Sequence, residues 1–163
     1  MPDGTKKERH ILIDPKDASA HPDYCDVRMG DSYFKDKGDH YEINIKIGAM
    51  GARFKLKNTA PPWNPGNGLL YQNKKTGTVW AWAVPVPAGD IEGELILKDE
   101  TIPVKGNGYH DHNWGNRYMH NLYENWYWGR SHDDNFCIVY ARMQPREAGM
   151  PLIRQPHRPL SSL

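Results

Sequence analysis

Between Gly106 and Gly115 the chain reads GNGYHDHNWG, which places two imidazoles, a carboxylate and an indole within five consecutive residues. An imidazole that titrates near neutrality beside a carboxylate is a common pairing for moving protons, and an indole face stabilises developing positive charge. In an extended strand His110, His112 and Trp114 share one face, with Asp111 and Asn113 on the other. Downstream, WYWGR puts Trp126, Trp128 and Arg130 on a common face. Tyr140 and Arg142 follow Phe136 and Ile138 in the same alternation. If these three faces turn inward, they line a pocket with imidazoles, indoles, a phenol and guanidinium groups.

Each group also has a plainer use. His110 and His112 at i, i+2 on a strand can converge on one metal ion, as in a cupin-like site. Such a site also wants a carboxylate about four residues after the second His, where this chain has Asn116 and Arg117. The imidazoles can equally be hydrogen-bonded structural residues. Trp80 and Trp82 read as core. Arg130 either packs over an indole or pairs with Asp111. Asp111 orients an imidazole or caps a turn, and only a bulge at Gly108 would bring it inward.

The elements that must hold these residues are strands. Tyr41, Ile43, Ile45 and Ile47 alternate with polar residues, as do Phe54 and Leu56 between Arg53, Lys55 and Lys57, with a turn at Gly48 to Gly51. Residues 78–86, TVWAWAVPV, are apolar on both faces, so something must cover each. Pro85 and Pro87 are expected to end that strand. A second strand through Ile91, Leu95 and Leu97 and a short return over Thr101 to Lys105 follow. A hairpin of Asn125 to Arg130 with Phe136 to Met143 closes the series, and Asn116 to Asn125 is either a short helix or a loop. The loop TAPPWNPGNG, fixed by prolines, presents Trp63. The expectation is an all-β, antiparallel barrel or open half-barrel of about eight strands with little helix. Residues 1–24 read as a polar leader without strand, 25–143 as one β domain, and 144–163 as a Pro-rich tail.

Composition narrows the function. The 163 residues carry a net charge of +1, with 21 basic and 20 acidic side chains, so nothing resembles the basic footprint of a nucleic-acid binder. Leu, Ile, Val and Phe supply only 29 residues, whereas there are six Trp and nine Tyr. The core is therefore expected to be aromatic. No apolar run approaches the ~20 residues of a transmembrane helix, and the N-terminus has only Ile11 to Ile13 where an export signal needs a longer apolar region. A cytoplasmic location is the expectation. Cys25 and Cys137 are far apart, which indicates neither a disulfide scaffold nor a thiolate zinc site.

TAPPWNPGNG, AWAVPVPAGDIEGEL, GNGYHDHNWGN and WYWGR, in this order, together with VRMGDSYF, resemble the hydroxyneurosporene synthase (carotenoid 1,2-hydratase) family, which includes the AttH-like proteins. Members are about twice this length and contain two lipocalin-like barrels, so the resemblance implies a calycin-type fold and most of one barrel here. For the hydratases it also implies addition of water to an isoprenoid double bond without a redox cofactor. His112 and Trp114 match the family's His-x-Trp, and Tyr140 matches a downstream pocket tyrosine. The hydratases place a carboxylic acid two residues after that tyrosine; this chain has Arg142, a poor acid.

These readings converge on an apolar small-molecule ligand, isoprenoid or polyketide-like. If the chain is a hydratase or cyclase, His112, Asp111 and Tyr140 are the catalytic candidates, and His110, Trp114, Trp126, Trp128, Arg130 and Arg142 the ligand-binding ones, with no cofactor. The rival reading is a non-catalytic carrier or half-barrel subunit that self-associates or pairs with a second-barrel chain. The third is the metal enzyme built on His110 and His112.

Overall fold

The computed structural model describes residues 11–133 and 135–146; the first ten residues of the expected leader and most of the Pro-rich tail lie outside these. Among the described residues, ten strands and one helical turn follow a short 3-10 turn at Pro15–Asp17. The strands are β1 (Ala18–Ala20), β2 (Asp26–Met29), β3 (Ser32–Asp36), β4 (Tyr41–Ile47), β5 (Met50–Asn58), β6 (Leu69–Asn73), β7 (Thr78–Leu97), β8 (Glu100–Gly115), β9 (Tyr123–His132) and β10 (Cys137–Pro145). The helical turn α1 is Met119–Leu122, the only part of the expected helix-or-loop window that coils. Eight strands form one sheet in the order β1-β2-β3-β4-β5-β7-β6, with β8 also pairing β7, and β9 and β10 form a second. The sheet does not close, in keeping with the open half-barrel expected.

The chain divides into two compact units, and β7 and β8 each contribute residues to both. The first unit, residues 1–57 and 90–107, is a run of antiparallel hairpins. Phe34, Ile43 and Phe54 lie directly opposite one another on β3, β4 and β5, giving the apolar row that the alternation predicts. Tyr33, Asn44 and Arg53 form the polar row beside it. The leader was expected to lack strand; instead Asp14 caps the 3-10 turn, and Ala18–Ala20 pairs with Val27–Met29. Small residues leave this edge strand open to pairing despite its polar surroundings.

The second unit, residues 58–89 and 108–163, holds all six tryptophans. Trp80, Trp82, Val84 and Tyr123 form its buried core, with Leu70, Tyr109, Val139 and Met143 packed around them. On the other face of the run expected to be covered twice, Ala81 is buried and Val79, Ala83 and Pro85 are half-buried; Pro87 and Gly89, just beyond it, are buried.

Two boundaries differ from expectation. β7 runs straight through Pro85 and Pro87, and β8 runs without interruption through Gly106 and Gly108. The prolines are tolerated because their neighbours carry the ladder there. Val84 exchanges both backbone bonds with Trp63, at 2.7 and 2.9 Å, and the Ala88 carbonyl accepts from Thr59. The Pro85 carbonyl accepts from the Asn58 side-chain amide at 2.9 Å, and that of Pro87 from the Cys137 thiol. No N–H is needed at either proline.

Close backbone packing fixes the seam between β7 and β8. A Cβ on Gly115 would lie 2.6 Å from the Val79 carbonyl oxygen and 2.8 Å from Trp80 Cδ1, whereas one on Gly106 would meet nothing within 4 Å. Gly115→Ala is therefore expected to destabilise the protein by about 1–3 kcal/mol, the usual cost of overpacking, and Gly106→Ala to have little effect. Thermal unfolding followed by circular dichroism checks this: equal midpoints for the two variants would contradict the packing described.

Candidate functional site

The GNGYHDHNWG segment is strand throughout its length, as its alternation suggested, but the face that turns toward the second unit's core is the other one. Tyr109 and Asp111 point to β7, and Gly115, in phase with them, abuts Trp80. The indole of Trp82, 3% exposed, donates its N–H to Asp111 Oδ2 at 2.9 Å. The Tyr109 hydroxyl donates to the same oxygen at 3.0 Å. A buried indole N–H without an acceptor would cost about 1–3 kcal/mol, which is the physical reason the carboxylate face is drawn in. No bulge is required. Sequence reasoning missed Tyr109, although it lies two residues before Asp111 and must share its face.

His112 and Trp114 fall on the opposite face of β8, stacked on each other with ring centroids 5.4 Å apart and planes at 15°. Trp114 is half-exposed beside Gly68. His110 shares that face and is half-buried. Among the described residues no three of His, Cys, Asp and Glu gather closely enough to hold a metal ion.

The hairpin β9–β10 supplies the second wall, and its register decides which side chains reach it. Trp128 is opposite Ala141, Arg130 opposite Val139 and Trp126 opposite Met143. Directly paired residues share a face, and Val139 and Met143 pack on the core, so this is the core-side face, on which Trp126 (48% exposed) and Trp128 (47%) remain open to solvent. Trp128 meets the Tyr109 ring edge-on at 5.4 Å, and the Arg130 guanidinium lies over the same ring, 5.1 Å from its centroid. Arg130 thus covers a phenol, not an indole. It also donates to His132 Nδ1 at 3.4 Å.

Tyr140 is opposite Gly129 and Arg142 opposite Tyr127, on the outward face. The phenol ring of Tyr140 occupies the space that a side chain at Gly129 would take. The expectation that Tyr140 and Arg142 line the same pocket as Trp126, Trp128 and Arg130 is therefore corrected: antiparallel pairing sends the two sets to opposite sides. Of the residues singled out from the sequence, the structure brings together Asp111, Trp128 and Arg130. It adds Tyr109 and Trp82, and Trp63 sits edge-on to Trp82 at 5.6 Å.

Burial, reinforced by the charge and hydrogen bond of Asp111, raises the Tyr109 hydroxyl well above the ordinary tyrosine range. It stays a neutral donor. Burial lowers His110, and the nearby Asp111 charge only partly opposes this. Because both Asp111 bonds converge on Oδ2, Oδ1 is the oxygen left to accept from a ligand. The result is a half-buried carboxylate held by an indole and a phenol, with Trp128 edge-on to that phenol and the Arg130 guanidinium over its face.

The raised Tyr109 has a thermodynamic consequence. Above pH 10, near its unperturbed value, the unfolded chain releases this proton and the folded one keeps it, so stability must fall as pH rises further. Tyr109→Phe is expected to make that alkaline decline shallower, as measured by denaturant unfolding at pH 9, 10 and 11. An unchanged slope would contradict the assignment.

No family model matches the chain. Over 65 residues its sequence is 32% identical to hydroxyneurosporene dehydrogenase of Chlorobaculum tepidum, a stretch covering 36% of this chain and 17% of that protein. Over 116 residues it is 26% identical to the quinolone epoxide rearrangement protein asqO of Emericella nidulans, covering 67% of this chain and 31% of that one. A crystal structure of an AttH-like protein from Nitrosomonas europaea superposes with a TM-score of 0.62 at 20% identity, over 80% of this chain and 42% of that one. The chain spans less than half the length of each of these relatives. Its antiparallel fold is that of the AttH-like protein, and its sequence is similar to two proteins whose names refer to hydroxyneurosporene and to a quinolone epoxide.

Proposed function

We propose that the second unit binds an apolar, unsaturated small molecule against the Trp63–Trp82–Tyr109–Trp128 surface and that Asp111 moves a proton on it. The observation that carries this reading is the carboxylate held on the core face by Trp82 and Tyr109, with one oxygen uncommitted and aromatic rings around it. A general base in such surroundings contributes about 10²–10⁴-fold, and it is most effective where water is kept away. Asp111 Oδ1 accepts a proton from a carbon beside a double bond and returns it elsewhere on the same skeleton. Atoms and electrons balance as an isomerisation. The second relative's name, which speaks of a rearrangement, supports this class of chemistry.

In this reading Trp82 and Tyr109 position the carboxylate, while Trp128 and Trp63 contribute apolar area against which the ligand lies. His112, Trp114, Tyr140 and Arg142, which the resemblance brought forward, take no part at this face.

Indene tests the proposal, being an apolar hydrocarbon with an acidic allylic C–H. Binding is read from quenching of tryptophan fluorescence, and proton transfer from deuterium uptake in D2O followed by nuclear magnetic resonance. The full chain is expected to accelerate exchange, and Asp111→Asn, which keeps an acceptor for Trp82 and Tyr109, to slow it by about a hundredfold or more at nearly unchanged binding. Quenching without exchange would replace the enzyme reading with that of a carrier. Trp128→Ala is expected to weaken binding about tenfold, through loss of buried aromatic area.

A further inference from the structure

We infer that the ligand of this site carries a neutral oxygen acceptor, such as a ring carbonyl, which Arg130 receives; this rests on the reading of the second unit as an apolar-ligand site. The inference comes from counting donors and acceptors. The Trp82 N–H is committed to Asp111, and so is the Tyr109 hydroxyl. Trp128 meets the Tyr109 ring edge-on. Arg130 has five N–H groups; among the described residues it meets His132 Nδ1 and the face of the Tyr109 ring, and its charge reaches the Cys137 thiol. No described carboxylate forms an ion pair with it. Within the cluster, then, Arg130 is the group with donors to spare and Asp111 Oδ1 the acceptor to spare.

A half-buried guanidinium without a carboxylate is costly unless something accepts from it. A pure hydrocarbon would cover those N–H groups and leave them unsatisfied. An anionic ligand would gain from Arg130 but meet the Asp111 charge across the same phenol, 3.0 Å from its hydroxyl. A neutral molecule with an oxygen at one end and a transferable C–H near the other satisfies both groups. Between the two ligand classes raised by the sequence, this favours an oxygenated, polyketide-like ring over a hydrocarbon isoprenoid. It makes Arg130 a specificity-determining residue.

Tetralin and α-tetralone share one ring skeleton and differ by a carbonyl oxygen, so their dissociation constants for the full chain, read by tryptophan quenching, isolate that oxygen. A purely apolar surface prefers tetralin, because desolvating the ketone is unfavourable. The expected result is the reverse, α-tetralone binding at least about tenfold more tightly, a preference set by one charge-assisted hydrogen bond. Arg130→Met, which keeps most of the side-chain length without donors, should erase the preference and leave tetralin binding intact. The wild-type ratio needs no variant to fold. Equal or tighter binding of tetralin to the wild type overturns the inference while leaving the apolar site standing, as does a preference that survives in Arg130→Met. Failure of both probes to quench removes the apolar-ligand site itself and this inference with it.

Discussion

The hydrogen bond from the Trp82 indole to Asp111 sets the arrangement of the second unit. A tryptophan gains from burial only if its single N–H finds an acceptor, and a carboxylate enters an aromatic core only if donors meet it. Each group solves the other's problem at 2.9 Å. Once Asp111 faces β7, strand alternation fixes the rest of β8: Tyr109 joins it, and His110, His112 and Trp114 take the other face, where His110 is half-buried and the other two are exposed. Tyr109 then becomes the surface on which Trp128 and Arg130 of β9 rest.

Glycine completes what that bond begins. Gly115 lets β8 lie against Val79 and Trp80, and Gly129 makes room for the Tyr140 ring on the far side of the hairpin. The two glycines therefore act on opposite faces, one bringing β8 against the aromatic core and the other giving an outward phenol a place to lie. In the first unit, aliphatic and aromatic side chains alternate with charged ones in a conventional way. In the second, a scarcity of aliphatic residues is met by indoles and phenols, which bury large area but bring polar atoms with them. Those polar atoms are what the candidate site is made of.

The relatives share segments of sequence or the fold, at less than half their own length. In this chain a carboxylate accepts from the hydroxyl of one phenol while a guanidinium lies over the face of the same ring. Opposite charges that do not neutralise each other directly can act at two ends of one ligand. A close Arg130–Asp111 ion pair would have spent both groups on each other.

Much of the architecture was legible in the chain. Alternation in Tyr41 to Ile47 and in Arg53 to Lys57 predicted strands that are present, and the two-sided apolar run at 78–86 predicted burial on both faces. Local chemistry misled at Pro85 and Pro87, because whether a proline ends a strand depends on where the neighbouring hydrogen bonds fall, and at Lys105, where the return strand was expected to stop. The membership of the site was half legible. Spacing alone established that Asp111 and the two histidines occupy opposite faces of β8, and that Trp126, Trp128 and Arg130 travel together. It could not say which face turns inward, since period two is symmetric, nor how β10 registers on β9. The tertiary structure decided both: Trp82, from another strand, required an acceptor, and the pairing of Gly129 with Tyr140 sent that phenol to the outside.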